Sequence, residues 1–446
     1  MWFEKGSEGV MRVLLISPKG EFLCRSPQFA DFMNTSREMR TILHFWNGIG
    51  VALPTLAALV PPGWEVTIID ENLEPIDFEI PCDLVGITAM TQQVERAYAV
   101  AAEFRKRGRH VVLGGIHATV MPDEAAKHVD SVIVGEAENS WPQLLRDLEA
   151  GSPRTIYNQK DFPPVDMTKI PVPRYELLSR YRYPVVWIET SRGCPYDCEF
   201  CTASKVYGRK RKHKSVSQVV DEVQHVRSIW KHAQIGFADD NMFISRQFTR
   251  ELLPALSHLN FPWYGQTDIS IADEPSLLRQ LHESGCRILF IGFESASVKS
   301  MRSFRGNKLK RRMFSEYAVG IEAIQRQGIG IYGSFILGLD KDDKNIIEQT
   351  INFIGDTHLM GAQITLLTPF PGSKLRKRLE AEGRILDNDW RWYTGWNVVI
   401  THPILSKKDL ENGLLSIYHA IYSRASHLSR AGYFRGIISD LIQSSA

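Results

Sequence analysis

The stretch Arg192-Gly-Cys-Pro-Tyr-Asp-Cys-Glu-Phe-Cys201 places three cysteines, Cys194, Cys198 and Cys201, at the spacing C-x3-C-x2-C. Three thiolates this close together can bind three corners of a four-iron cube, whereas protein iron–sulfur sites usually use four cysteines. The fourth iron then lacks a protein ligand and is open to a small molecule. The spacing therefore predicts a [4Fe-4S] cluster that is kept incomplete for chemistry.

Two other kinds of site compete with the cluster. A zinc site needs four ligands, commonly as paired C-x2-C or with histidines, but the nearest histidine is His213 and no second cysteine pair follows. A disulfide needs an oxidising compartment, and three cysteines leave one thiol over. We therefore favour the cluster over both alternatives.

Composition sets the class of protein. With 446 residues, 43% hydrophobic and 23% charged, the chain is typical of a globular protein with two or three domains. A net charge of +2 gives no reason to expect a nucleic-acid partner. Six cysteines, three of them in one motif, favour a reducing cytoplasm. We expect no signal peptide and no transmembrane segment, because no basic-then-apolar start and no long apolar run is found.

The first 150 residues alternate apolar runs with helical patterns. Strands are predicted at Arg12–Ser17, Glu65–Asp70, Asp83–Thr88, His110–Gly114 and Ser131–Val134, with helices near 51–60, 92–107, 122–128 and 140–150. This alternation predicts a doubly wound, Rossmann-like domain over residues 1–150, with a ligand bound beyond the carboxyl ends of its strands.

Glycines and polar residues follow three of these strands, in the segments Thr88–Gln93, Gly114–Thr119 and Gly135–Glu138. Glycine pairs let the backbone approach a ligand closely, although they also suit tight turns. The first strand is not followed by G-x-G-x-x-G, so a dinucleotide is not expected.

Residues 151–184 are rich in proline with little periodicity, and predict a linker between domains. The strand–helix alternation then resumes. Strands are predicted at 185–190, 234–238, 263–266, 287–291, 330–337 and 363–367, with helices near 217–231, 246–258, 275–284, 311–327 and 343–358. Six such units over residues 185–375 predict a partial (β/α)6 barrel. The cysteine loop follows its first strand, at the end where such barrels carry their active sites.

Residues 376–446 predict a helical C-terminal region, with amphipathic patterns over 406–423 and 427–443. The aromatic segment 388–397 is more typical of a core than of a cofactor site, yet a tail over an open barrel is also where we expect substrate specificity. The basic run 208–214 predicts a solvated face, with neutralisation of cofactor or substrate anions as the alternative.

The pattern Cys194-x3-Cys198-x-Phe200-Cys201 resembles the signature of the radical S-adenosylmethionine (radical SAM) enzymes. In that family the open iron is chelated by the amino and carboxylate groups of the cofactor's methionine part, and reductive cleavage gives a 5′-deoxyadenosyl radical. The resemblance implies that the three cysteines bind a [4Fe-4S] cluster and that an electron donor such as flavodoxin or ferredoxin is needed. It covers roughly residues 11–375.

Four later segments resemble the SAM-binding segments of that family and occur in the same order: 239–241, 292–295, 333–340 and 368–373. Asp and Asn at 239–241 also suit a helix N-cap. The resemblance implies contacts to S-adenosylmethionine from Phe200, Asp240, Asn241, Glu294, Ser295 and Gly338, with Glu294 on the ribose hydroxyls.

The ordered pattern G-G-x-H-x-T and then D-S-V-I-V-G-E-x-E, upstream of the cysteines, resembles the cobalamin-binding domain of the cobalamin-dependent radical SAM class. It implies cobalamin contacts from Thr88, Thr91, Gln92, Gly114, Gly115, His117, Thr119, Gly135, Glu136 and Glu138. The sequence has no D-x-H-x-x-G motif, so no histidine ligand to cobalt is implied. Some relatives keep this domain with altered cofactor use.

We therefore predict a cytoplasmic cobalamin-dependent radical SAM methyltransferase that acts on an unactivated carbon of a small-molecule or lipid-like substrate. Such a carbon has no lone pair for polar methyl transfer, so a radical route is needed. Alternatives are ring rearrangement, cyclisation, C–C coupling or aminocarboxypropyl transfer, with or without cobalamin, or a cobalamin sensor with a structural cluster. The several SAM-like segments argue against a sensor. The sequence assigns no catalytic proton donor or acceptor.

Overall fold

The computed structural model of the chain describes residues 10–20, 23–39, 43, 50–303 and 314–445. The strands within these ranges form two six-stranded sheets and one two-stranded ribbon. In chain order they are β1 (Arg12–Ser17), β2 (Glu65–Asp70), β3 (Leu84–Thr88), β4 (His110–Gly114), β5 (Ser131–Val134), β6 (Ile156–Asn158), β7 (Val185–Ile188), β8 (Ser191–Arg192), β9 (Lys212–His213), β10 (Gln234–Phe237), β11 (Trp263–Thr267), β12 (Cys286–Glu294), β13 (Gly330–Leu337) and β14 (Gly361–Leu366).

The α-helices of the described ranges separate these strands close to where the periodicity predicts them. They are α1 (Pro27–Thr35), α2 (Ala52–Ala58), α3 (Val94–Lys106), α4 (Ile116–Val120), α5 (Pro122–Ala125), α6 (Ser140–Glu149), α7 (Ala203–Val206), α8 (Val216–Ile229), α9 (Arg246–Ser257), α10 (Pro275–Glu283), α11 (Val298–Ser303), α12 (Tyr317–Gln325), α13 (Asn345–Asp356), α14 (Lys374–Ala381), α15 (Lys407–Ile421) and α16 (Arg424–Ser445). The start of the helix predicted over 311–327 lies outside the described residues.

The N-terminal sheet is parallel throughout, with the strand order β2-β1-β3-β4-β5-β6. Its central strand β3 is apolar on both faces: Leu84, Val85 and Ile87 are at most 3% exposed. Burial on both faces is expected where helices cover a parallel sheet on two sides. The order reverses between β1 and β3, which is the switch point where open α/β sheets bind ligands. The predicted doubly wound domain is confirmed.

The proline-rich segment 151–184 does more than link two domains. Residues Ile156–Asn158 form β6, which pairs with β5 and completes the N-terminal sheet. Tyr157 is fully buried there, and its hydroxyl donates to Asp147 at 2.9 Å. The prediction of a simple linker is wrong for this stretch, because a strand of three residues is too short to show a period of two.

The second sheet has the order β7-β10-β11-β12-β13-β14, so each strand lies beside its neighbour in the chain, and every pair is parallel. Strands β7 and β14 stand at the two ends of this order. The sheet is therefore an open barrel of six strands, and the predicted partial barrel is confirmed.

Helix α15 and the residue after it cover the edge of β14 that pairs with no strand of the sheet. The Tyr418 hydroxyl accepts from the Ile364 amide at 3.2 Å and donates to the Ile364 carbonyl at 3.0 Å. The Tyr422 hydroxyl makes the same two bonds with Ala362, at 3.2 and 2.7 Å. Side chains thus satisfy edge groups that would otherwise template pairing with another strand. The predicted helical C-terminal region is confirmed by α14, α15 and α16. Residues 385–405, between α14 and α15, are mostly irregular. No helix among the described residues has the length and apolar character to cross a membrane.

We expect Tyr157→Ala to lower the free energy of unfolding by about 3–5 kcal/mol, because it opens a cavity beside β6. Tyr157→Phe should cost about 1 kcal/mol, through loss of the hydroxyl bonds. Chemical denaturation measures both changes, with the 47% exposed Leu73→Ala as control. Equal midpoints for Tyr157→Ala and the control would show that β6 does not stabilise the domain.

Candidate active site

The cysteine loop leaves the carboxyl end of β7 and closes on itself. Ribbon strands β8 and β9 pair antiparallel at its base, and the Cys194 amide donates to the Gly208 carbonyl at 3.3 Å. Gly193 has φ +90°, and a Cβ there would lie 2.5 Å from the Lys210 carbonyl oxygen. Only glycine fits this position without strain. The base of the loop thus holds the following cysteines at the mouth of the barrel.

The structure joins none of the six cysteines of the chain in a disulfide, so it gives no support to the disulfide alternative. Cys201 is exposed, whereas Cys194 and Cys198 are half-buried. Among the described residues no three His, Cys, Asp or Glu side chains converge on one metal ion.

Negative charge surrounds Cys201. Desolvation by its neighbours, together with the charges of Asp240, Cys194 and Glu294, raises the pKa of the Cys201 thiol to about 11. Desolvation of its carboxyl by the surrounding atoms and the charge of the adjacent Asp239 raise the pKa of Asp240 to about 6. Such a site favours bound cations, so it fits both iron and the amino group of S-adenosylmethionine.

The segment after β10 divides into supporting and exposed residues. Asp239 is buried and accepts from the Thr190 amide at 3.1 Å and the Thr190 hydroxyl at 2.8 Å, which joins β10 to the end of β7. Asn241 is also buried and donates to Asp268 at 2.7 Å. Asp240 between them is exposed. Of the two residues predicted to bind S-adenosylmethionine here, Asp240 therefore faces the open site and Asn241 holds β11.

Glu294 ends β12 in an unusual conformation. Its φ is +67°, and the β12–β13 register shifts between Gly292 and Glu294. A non-glycine residue in this region is strained, and such strain clusters at functional sites. Ser295 is buried, and its hydroxyl accepts from the Ser297 amide at 3.1 Å. The structure thus brings Glu294 to Cys201 and uses Ser295 to shape the turn behind it.

Gly338 and the turn 368–373 frame the same mouth. Gly338 has φ +97°, and its amide donates to Asp342 at 2.9 Å. Beyond the turn, the Leu375 amide donates to the Glu199 carbonyl at 2.7 Å, and Lys374 pairs with Asp197. Phe200 packs against the apolar cluster that contains Leu375. The outer side of the cysteine loop is therefore held by α14.

The predicted cobalamin residues lie along the carboxyl edge of the N-terminal sheet. Gly115 has φ +93°, and a Cβ there would lie 2.8 Å from the Thr88 hydroxyl. Thr119 joins two of the loops, because its hydroxyl donates to the Gly115 carbonyl at 2.8 Å and accepts from the Gly135 amide at 3.0 Å. Gly114 ends β4 and accepts from the Ala89 amide at 3.2 Å. The backbone at this edge is compact enough for a flat cofactor to lie on it.

His117 does not reach this surface. The side chain is fully buried; one ring nitrogen lies 3.4 Å from the Thr91 hydroxyl and the other 3.1 Å from Glu124. The Trp390 indole caps this pair and donates to Glu124 at 3.1 Å. Burial lowers the pKa of His117 more than Glu124 raises it. His117 and Thr91 therefore support the loop from behind.

A polar cavity of about 810 Å³ lies at the carboxyl ends of β1 and β2, beside the switch point. Its lining includes Lys19, Glu71 and Gln92, together with Arg391 from the C-terminal region. Among the predicted cobalamin residues, Gln92 therefore borders this cavity. The segments Gly114–Thr119 and Gly135–Glu138, here called the glycine loops, face the cysteine loop instead.

Glu136 and Glu138 contact the barrel domain directly. Arg192, the residue before Gly193, binds Glu136 at 2.9 Å, Glu138 at 2.7 Å and Glu189 at 2.8 Å. Burial would raise the pKa of Glu138, but the charge and hydrogen bond of Arg192 outweigh it and lower that pKa. These two glutamates join the domains, and their predicted role in cobalamin binding stays a prediction.

The basic run is a solvated face only in part: residues 208–210 and His213 are exposed. Lys212 pairs with Glu136, Lys214 is 2% exposed and pairs with Glu222, and Arg211 lies 3.5 Å from Asp239. The prediction is wrong for these three residues, because β9 folds them back along β8, against carboxylates of both domains.

Two sequence families match this chain in the order of its domains. The B12 binding domain matches residues 41–145, and the radical SAM superfamily matches residues 188–354. The chain thus carries a B12 binding domain followed by a radical SAM domain, the domain order of the cobalamin-dependent radical SAM class. The cysteine loop, Asp240 and Glu294 lie in the radical SAM match, and the glycine loops lie in the B12 match.

Similar proteins include methyltransferases of two kinds. Bacteriochlorophyllide d C-8(2)-methyltransferase of Chlorobaculum tepidum is 28% identical over 89% of this chain and 90% of its own length. Hopanoid C-2 methylase of Rhodopseudomonas palustris is 27% identical over 85% of this chain and 72% of its own length. The solved structure of the radical S-adenosylmethionine methyltransferase TsrM from Kitasatospora setae, with cobalamin and a [4Fe-4S] cluster bound, superposes with a TM-score of 0.65. That match has 17% identity over 84% of this chain and 78% of TsrM, and concerns the fold.

Sequence reasoning missed the residues that join the domains. Arg192 stands next to the cysteine motif, and its positive charge complements the glutamates of the turn Gly135–Glu138. The sequence does not show that these two segments are neighbours, so the pairing could not be predicted from it. Trp390 carried no such signal, since its contact with Glu124 joins residues far apart in the chain.

We expect Arg192→Gln to lower the free energy of unfolding by about 3–5 kcal/mol, because it leaves buried carboxylates without their countercharge. Arg105→Gln removes a surface pair with Asp130 and should cost at most about 1 kcal/mol. Chemical denaturation of the anaerobically purified proteins measures both. Equal losses in the two variants would contradict the proposed joining role of Arg192.

Proposed function

We propose that this radical SAM enzyme transfers a methyl group to an unactivated carbon of a small-molecule or lipid-like substrate. The observation that carries the proposal is the meeting of the two domains. The ends of β4 and β5 face the cysteine loop, where α4 contacts α7 and Arg192 binds Glu136 and Glu138. A methyl donor held on one edge and a radical formed at the other can then reach the same carbon. The methyltransferase relatives support this outcome.

We propose that Cys194, Cys198 and Cys201 hold the [4Fe-4S] cluster. When bound, the cluster and S-adenosylmethionine supply a 5′-deoxyadenosyl radical, and cobalamin supplies the methyl group. Asp240 and Glu294 provide negative charge beside Cys201, which suits the cationic amino group and the ribose hydroxyls. Phe200 and the buried residues around it keep water from the inner side of the loop.

Other residues are proposed to position these groups. Asn241, Ser295 and Gly338 hold the three strand ends in place around the cofactor. The backbone at Gly114, Gly115 and Gly135 is proposed to receive the cobalamin face.

The enzyme also needs a reductant. We propose a flavodoxin or a ferredoxin as the electron donor, since cleavage of S-adenosylmethionine consumes one electron. Six cysteines, three of them in the cluster motif, support a location in the reducing cytoplasm.

The function is tested with anaerobically reconstituted protein, reductant and S-adenosylmethionine labelled in its methyl group. The substrates are a bacteriochlorophyllide and a hopanoid, the classes named for the relatives. We expect labelled product together with 5′-deoxyadenosine and S-adenosylhomocysteine. Substrate-dependent deoxyadenosine without any incorporated methyl would instead favour rearrangement, cyclisation or coupling.

Replacing Cys194, Cys198 and Cys201 together with Ala should abolish the iron and sulfide content and the cleavage of S-adenosylmethionine. Cobalamin content should persist, because those contacts lie in the other domain. Cys24→Ser is the matched control and should keep its iron. Iron that survives the triple change would overturn the assignment of the cluster.

A further inference from the structure

The barrel contains a second cavity, whose lining residues differ from those assigned to the cofactors. It has a volume of about 480 Å³, within the range of small-molecule sites. Its walls are mostly aromatic and aliphatic: Trp187, Tyr264, Ile288, Phe290, Tyr332 and Met360. Tyr264, Ile288 and Tyr332 lie in the amino-terminal halves of their strands and Met360 precedes β14. The cavity therefore extends from the end of the barrel opposite the cysteine loop to the middle of the sheet, at Phe290 and Trp187.

A row of partly exposed strand residues continues from this cavity towards the cofactor end of the barrel. Along β12 and β13 the inward positions alternate with buried ones and are partly exposed: Ile288, Phe290 and Gly292 on one strand, Tyr332 and Ser334 on the next. Side chains fill the interior of a complete (β/α)8 barrel. Here the same positions line a hollow that leads towards Glu294.

A buried arginine stands at the far end of this hollow. Arg430 of α16 lines the cavity and is 8% exposed. Its Nη1 donates to the Ile421 carbonyl at 2.6 Å and to the Ser426 hydroxyl at 3.0 Å. Within the described part of the chain, no carboxylate lies within 4 Å of it; Glu38, which also lines the cavity, acts on its charge only at longer range. A buried charge without a countercharge is costly and usually marks a function.

The side chains around Arg430 shape the space for an anion. Tyr422 lies 5.8 Å from its guanidinium carbon, and the Tyr422 and Tyr332 hydroxyls are 3.0 Å apart. Tyr332 in turn stacks on Phe290, with ring centroids 5.8 Å apart. Nη1 donates to protein acceptors, and no residue of the described ranges accepts a hydrogen bond from Nε or Nη2. A guanidinium can bind a carboxylate through two parallel hydrogen bonds from such an edge.

We propose that this cavity binds the apolar body of the substrate and that Arg430 binds a carboxylate at its end remote from the reacting carbon. The inference rests on the proposed function, and it specifies the substrate class as an elongated or flat apolar acid. Phe290 precedes Glu294 by four residues, about 13 Å of strand. The carboxylate and the methylated carbon should therefore be separated by at least about that distance.

The test uses parinaric acid, a fluorescent rod-like fatty acid, and its methyl ester, with anaerobically purified cluster-containing protein. We expect Arg430→Gln to weaken binding of the acid about tenfold or more and to change ester binding less than twofold. Arg435→Gln, an exposed arginine of the same helix, should bind both probes like the unmodified protein. Unchanged acid binding in Arg430→Gln, or equal losses for acid and ester, would overturn the proposal.

Ile288→Trp provides a second test that keeps Arg430 intact. The larger side chain should fill the cavity and reduce binding of both probes, so the proposal can be judged even if Arg430→Gln does not fold. Acid binding that is unchanged in Ile288→Trp would place the probe elsewhere and defeat the inference. Probe binding needs no reductant and no S-adenosylmethionine. A negative result in the binding test would therefore not bear on methyl transfer, which the labelling assay tests separately.

Discussion

One buried ion-pair cluster couples the two halves of this protein. Arg192 lies between the first barrel strand and the cysteine loop, and it reaches two carboxylates of the N-terminal domain and one of its own domain. These side chains are about a tenth exposed or less, so none of the charges is well solvated alone. The loop that carries the cysteines is therefore positioned together with the sheet edge that carries the glycine loops. Other contacts of that interface, such as Lys212 with Glu136, strengthen the same docking.

A second constraint comes from leaving the barrel open. In this sheet β7 and β14 do not pair with each other, so the edge of β14 needs other partners. The hydroxyls of Tyr418 and Tyr422 provide them. The same C-terminal region brings Arg430 under the barrel. Its aromatic segment instead reaches the N-terminal domain, where Trp390 seals the His117–Glu124 pair. The C-terminal region thus contacts both domains, and its aromatic content alone did not indicate this.

The candidate site was predictable where it depends on local spacing or on strand ends. The three cysteines lie within eight consecutive residues, and Asp240 and Glu294 follow strands whose carboxyl ends must share one edge. Prediction was poorer for side chains whose neighbours come from elsewhere. His117 and Asn241 have the polarity of ligand contacts, yet both are buried against other polar residues. The basic run 208–214 has the charge of a solvated face, yet Lys214 is enclosed with Glu222.

The sequence by itself determined the order of strands and helices, the two-domain plan and the cysteine loop. Those features follow from hydrophobic periodicity and thiolate spacing, which are properties of short stretches. Only the tertiary structure decided which polar groups face a ligand and which face one another. The pairs Arg192–Glu138 and Trp390–Glu124 join distant parts of the chain. The cavity lined by Arg430 exists because the inward side chains of neighbouring strands do not fill the barrel. Its volume depends on several strands together and cannot be predicted from any one stretch of sequence.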